Sequence, residues 1–178
     1  MTTPASEDHA VDMSAPSPLQ ASDMAARLPQ WPLPAVRYIP GRSPHPRTLP
    51  PEPIPELPAA STWWDDARFL RGLDLFDAQY YWEAHEVWES LWLDLPRAEA
   101  PARLIQGLIQ GAAAVVKRLQ GDRTASASLT RAALARLDEA AVAADGQPGG
   151  LDLPALRAAM VRFGAGEPVW PHSRGATP

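Results

Sequence analysis

From residue 61 onward, apolar side chains recur every three to four positions, and breaks of glycine, proline and polar residues divide the pattern into five segments. That period is the mark of amphipathic helices. Phe69, Leu73 and Phe76, with Leu70 beside them, form the stripe of a first helix running to about Ala78. Ser61 or Thr62 is its expected N-cap, and Asp65 and Asp66 stand in the first turn, where the positive end of a helix favours carboxylates. The second helix spans about Tyr81 to Leu93. Tyr81, Ala84, Val87, Trp88, Leu91 and Trp92 share one face, His85 and Glu89 lie at its edge, and Pro96 ends the segment.

The third segment runs from between Ala98 and Pro101 to Leu119 and is apolar nearly all round, as the central helix of a bundle must be. Gln106, Gln110 and Lys117 interrupt it along one line. Gly107, Gly111 and Ala114 make a second face, small enough for a neighbouring helix to come close, and Gly121 is the expected C-terminal stop. A fourth helix spans about Thr124 to Ala144, with Leu129, Ala133, Leu137 and Ala140 inward. After the break at residues 145–150, Asp152 caps a last helix with Pro154 in its first turn and Leu153, Leu156, Met160 and Phe163 as its stripe. No period-2 run is present, so no sheet is expected.

The first 60 residues hold fourteen of the chain's 21 prolines, which rules out a helix or a central strand there. Residues 1–27 are poor in large apolar groups and read as a disordered tail, with at most a helical turn around Ser22 to Leu28. Residues 28–60 differ. Trp31, Leu33, Val36, Tyr38, Ile39, Leu49 and Ile54 recur between the prolines, as in an extended arm anchored on the bundle. The expected architecture is therefore all-α: a compact bundle of about five helices over residues 61–164, the Pro-rich arm packed on it, and a flexible Gly/Pro-rich tail over 165–178.

The chain has 178 residues and a formal net charge of −5, without the basic footprint of a nucleic-acid binder, so no nucleic-acid partner is expected. It has no cysteine, which excludes disulfides, thiolate nucleophiles and iron–sulfur clusters. Residues 1–12 are polar and no apolar core follows, so neither a secretory signal nor a membrane span is expected, and the cytoplasm is the default location.

The densest chemistry is Glu83-Ala84-His85-Glu86-Val87-Trp88-Glu89. His85 and Glu89, four apart, stack on one side of a helix. Such a pair can share a proton, ligate a metal or hold a structural hydrogen bond. The segment approaches His-Glu-x-x-His, in which two histidines grip zinc, but Glu89 replaces the second histidine. The Glu-x-x-His spacing of di-iron bundles is absent. On the third helix, Gln106 and Gln110 need partners if buried, and His85, Glu86 and Glu89 are the expected ones across the interface. In the arm, Gly41 flanked by Arg42 and His45 offers donors to an anion, although a simple turn accounts for the same residues.

The run Phe76-Asp77-Ala78-Gln79-Tyr80-Tyr81-Trp82-Glu83-Ala84-His85-Glu86-Val87-Trp88-Glu89, followed by Gln106-Gly107-Leu108-Ile109-Gln110, resembles the bacterial domain-of-unknown-function family 309. The arm's Tyr38-Ile39-Pro40-Gly41-Arg42-Ser43-Pro44-His45-Pro46 resembles the lead-in of some members, so the likeness covers about residues 35–145. The resemblance implies an all-helical fold of about five helices and no settled activity. It places the family's polar positions on Glu83, His85, Glu86, Glu89, Gln106 and Gln110. The chain departs from the pattern at Asp77 and Gln79, where the family carries Asn and Gly. Gly would suit the turn after a helix, so Gln79 must take that turn with strain or the connection is built differently.

Three functions compete. The favoured one is a non-enzymatic binding module, with those six residues lining a polar pocket for a small molecule or a partner protein. The second is a small metal-dependent hydrolase using His85, Glu86 and Glu89. The third is a structural or oligomerising protein, a homo-oligomer among the options, whose polar motif fixes helix register. Residue types alone do not name the ligand or cofactor.

Overall fold

The computed structural model of the protein describes residues 26–49, 55, 60–141 and 148–177. Five helices form the bundle: α1 (Ala67–Asp77), α2 (Tyr81–Asp94), α3 (Ala100–Leu119), α4 (Arg123–Ala141) and α5 (Leu153–Gly164). The core is one continuous apolar cluster centred on Phe69, Leu73, Trp88, Ile105, Leu108, Leu137 and Phe163. The last residues of the expected fourth helix, 142–144, lie outside the described residues, as do most of the 22–28 turn and Ile54 of the arm.

α1 begins later than its first candidate caps. Ser61 and Thr62 turn their hydroxyls to Asp65 Oδ2, at 3.3 and 2.7 Å, instead of capping a helix. The cap is Asp66, whose carboxylate accepts the Arg68 N–H at 2.8 Å. Burial works against the Asp66 charge, but hydrogen bonds from the Arg68 side chain and backbone and the nearby guanidinium charge outweigh it, so the carboxyl titrates below its ordinary value. Trp63 and Trp64 precede the helix, and Trp63 packs edge-on to Phe69 at 5.1 Å.

At its other end α1 closes through Gln79, whose φ of 67° lies in the left-handed region. The Tyr80 N–H reaches back to Leu75 O at 2.7 Å and the Gln79 N–H to Phe76 O at 3.0 Å, the bonding of a Schellman turn. The connection is thus the one a glycine suits, made here by glutamine. α3 closes by the same device with Gly121, at φ 85°, in that position.

The close approaches follow the small residues. A Cβ on Gly72 would stand 2.0 Å from Trp88 Nε1, so Gly72 lets that indole lie on α1, where it donates to Phe69 O at 3.2 Å. A Cβ on Gly107 would stand 2.9 Å from Leu137, so α3 and α4 meet closely there.

Two departures from the sequence reading concern the ends of the chain. Where a flexible tail is expected, Trp170–His172 (β1) pairs antiparallel with Gly175–Thr177 (β2), with His172 opposite Gly175. Val169 and Ser173 are buried. This ribbon is the one sheet among the described residues, and strands of three residues are too short to show a period. Arg27, at the end of the expected disordered tail, is anchored. Its guanidinium donates to Asp77 Oδ2 at 2.9 Å, Asp74 Oδ1 at 3.3 Å, Ser173 Oγ at 2.8 Å and the Gly149 and Gly150 carbonyls. Asp74 also accepts the Arg27 and Leu28 N–H groups, both at 2.9 Å, and Asp77 accepts from the backbone and hydroxyl of Ser173. Arg71, 3% exposed, donates to Trp31 O and Pro32 O and lies 5.0 Å from the Trp31 ring centroid. The polar side of α1 is therefore a clasp holding arm, loop and ribbon together.

Candidate functional site

α2 buries Tyr81, Ala84, Trp88 and Leu91, which turns the intervening positions outward. Tyr81 is sealed in, donates to Pro171 O at 3.1 Å, and is held protonated by burial well above the ordinary phenol range. His85 and Glu89 each follow one of the buried residues and sit at the solvent edge of the face. Glu86 is half exposed and Glu89 is exposed. One imidazole nitrogen and one carboxylate oxygen from each of Glu86 and Glu89 all lie within 4.8 Å of one another. His85 Nδ1 is 3.3 Å from Glu86 Oε1, so the hydrogen-bonding partner is the adjacent carboxylate rather than the Glu89 expected one turn on.

The remaining sequence candidates fall elsewhere. Glu83 faces the arm, where its Oε1 accepts the Tyr38 N–H at 2.6 Å. The expected amide network is not formed: among the described residues no hydrogen bond joins Gln106 or Gln110 to His85, Glu86 or Glu89, and the buried Gln110 Oε1 has no partner. His85, Glu86 and Glu89 therefore form an outward patch on α2, to which the α3 glutamines are not hydrogen-bonded. Arg42 is exposed and His45 half-buried. His45 caps a 3-10 turn at Pro46–Thr48, its Nδ1 accepting the Arg47 N–H at 3.1 Å, which is the turn reading of this motif.

The structure adds an aromatic group that joins α2 to the arm. Trp82 stacks on the His85 imidazole, centroids 5.9 Å apart and planes at 23°. On its other contacts, Trp82 meets Tyr38 edge-on at 5.1 Å and His45 at 6.3 Å. Tyr38 and His45 touch each other at 4.9 Å. The sequence signal for this cluster was the aromatic and histidine content of the arm's Tyr38–Pro46 turn.

Fold and patch together define the class: a small all-α bundle, clasped by an N-terminal arm, with a histidine–carboxylate patch on its second helix. The model of the family described as "Domain of unknown function (DUF309)" matches residues 69–129, from the first turn of α1 into α4. This stretch belongs to that family, in agreement with the motif resemblance, although the arm lies outside the match. No curated protein and no solved structure matches the chain. No helix among the described residues is long and apolar enough to cross a membrane.

Proposed function

We propose that the domain is a non-enzymatic binding module whose recognition element is the α2 patch, and that His85, Glu86 and Glu89 hold a divalent cation there. One observation carries the reading: the three donor atoms converge within 4.8 Å on a solvent-facing edge. An imidazole nitrogen with two carboxylate oxygens is a donor set for zinc and neighbouring first-row metals, bound at about 2.0–2.2 Å, and small rotations of the side chains bring the two oxygens and the nitrogen to that distance. Three protein donors leave coordination positions open to solvent, so a cation held there can take a donor atom from a small molecule or a partner protein. Gln106 and Gln110, on the neighbouring α3, remain candidate ligand contacts rather than members of the cation shell.

A second reading keeps the same cation and makes it catalytic, with water in an open position and Glu86 or Glu89 handling the proton, as in a small metal-dependent hydrolase. The exposure of the two carboxylates favours it.

Elemental mass spectrometry of natively purified, untagged protein tests the cation. A near-stoichiometric transition metal that disappears in His85→Ala is the expected result. Protein without metal, and without uptake when zinc or manganese is offered, overturns both readings.

A further inference from the structure

We propose that the arm governs the α2 patch: by docking Tyr38 and His45 against Trp82 it fixes the indole on which the His85 imidazole stacks, so the His85 site is organised only when the arm is in place. The inference rests on the cation-site reading above and adds its regulation.

The argument follows a chain of contacts. The arm segment that reaches α2 is stiff. Gly41 sits at φ 80°, Ile39 O accepts the Arg42 and Ser43 N–H groups at 2.9 and 3.1 Å, and Ser43 Oγ takes the Ile39 N–H at 2.6 Å. His45 is fixed by the N–H of Arg47. Ile39 anchors the turn in the core. The segment is bonded to α2 through the Tyr38 N–H, which donates to Glu83 Oε1 at 2.6 Å. Glu83 lies two residues before His85 and on a different side of the helix, so it works as the arm's receptor and not as a cation donor.

From that point the contacts are aromatic. Tyr38 stands edge-on to Trp82, an arrangement that the charge distribution of the rings favours and that fixes the indole plane. His45 bears on the same indole. Trp82 in turn lies nearly parallel to His85. The one hydrogen bond the His85 side chain makes among the described residues is with the exposed Glu86, at 3.3 Å. A ligating imidazole loses affinity when its ring is free to turn, and groups that orient a metal-bound histidine are commonly worth about 10- to 100-fold in metal affinity. Trp82, Tyr38 and His45 are positioning residues in this sense, with Trp82 as the relay.

The arm is also the element whose attachment can change. It is held by the side-chain clasp of α1, by Glu83 and by a few buried side chains such as Leu28 and Ile39, not by strand pairing or by a helix of its own, so loosening it at Tyr38 frees the indole.

The test uses the full chain. Wild type, Tyr38→Ala and Tyr38→Phe are compared in two measurements: the ring-proton shifts of His85 in the metal-free protein, by histidine-selective NMR, and zinc affinity by calorimetric titration. Far-ultraviolet circular dichroism checks the fold. In wild type the indole places the His85 ring protons upfield, and cross-relaxation connects Tyr38 to Trp82 and Trp82 to His85. In Tyr38→Ala the His85 signals move toward free histidine and zinc binding weakens about 10-fold, with helicity kept. Tyr38→Phe, which retains the ring, restores both. Unchanged His85 shifts and unchanged zinc affinity in folded Tyr38→Ala overturn the proposal. Should wild type bind no zinc, the cation reading fails, and the His85 shifts alone decide the coupling between arm and patch. Should Tyr38→Ala not fold, the wild-type cross-relaxation decides, and its absence between Trp82 and His85 overturns the relay.

Discussion

Two polar clusters sit one helix apart and are built on opposite rules. The α1 cluster of Arg71, Asp74 and Asp77 is buried, and its acids are bonded to side chains and backbone N–H groups of two distant parts of the chain, residues 27–28 and Ser173. The α2 cluster of His85, Glu86 and Glu89 faces solvent, and among the described residues one 3.3 Å contact, between His85 and Glu86, ties it together. Buried charge is tolerated only when fully paired, so the α1 cluster is committed to holding the fold. Donors that converge without being consumed by partners are available to something else. Polarity on a helix marks a site only when its bonding capacity is left over.

The sharpest way to break this comparison is to remove one partner of the clasp. Asp77→Ala removes one of the two carboxylates that pair with Arg27, whose side chain is 10% exposed, together with the acceptor of the Ser173 N–H and hydroxyl, and the expected cost is about 3–5 kcal/mol in urea unfolding. A loss below 1 kcal/mol would place the clasp among surface ion pairs. Gly72→Ala, on the core side of α1, is expected to cost about 1–3 kcal/mol by driving a methyl group into the Trp88 indole, and serves as a core reference for the same assay.

Next comes Asp66→Ala, expected to cost about 1 kcal/mol at neutral pH through the lost cap of α1. The pH dependence has a definite sign. The folded-state carboxyl titrates below its ordinary value, so its contribution is complete above that value and is lost as pH falls through the lowered one. The difference between wild type and Asp66→Ala in unfolding free energy therefore narrows only at acid pH. The smallest effects belong to the patch and the strained turn. Glu86→Gln and Glu89→Gln are expected to change stability by less than about 0.5 kcal/mol. Gln79→Gly is expected to raise it by about 0.5 kcal/mol, since glycine adopts the left-handed turn without the penalty that a side chain carries.

Most of the fold was legible because its signals are local. The stripes of α1 to α5, the Asp152 cap and the Gly121 stop each lie within one or two turns of the residues they organise. The start of α1 was misjudged because four oxygen-bearing side chains, Ser61, Thr62, Asp65 and Asp66, compete within six residues, and only the structure shows that three of them bond to one another. The clasp was invisible for a different reason: Arg27 and Ser173 are 146 residues apart, and no periodicity connects them. The same division holds at the site. His85, Glu86 and Glu89 come together because one helix carries them. The hydrogen bonds expected from Gln106 and Gln110 to that helix are absent among the described residues, because pairing across two helices depends on their relative rotation, which residue spacing does not encode. Tyr38 was visible as an anchor of the arm, but not the place on α2 where it docks.

The most direct test of the account is a calorimetric titration of zinc into metal-free wild type and Glu89→Gln, with urea unfolding of both. The account predicts one site in wild type, markedly weaker binding in Glu89→Gln, and superimposable unfolding curves. Equal zinc binding by the two proteins, or a Glu89→Gln variant destabilised as a clasp variant would be, would contradict it.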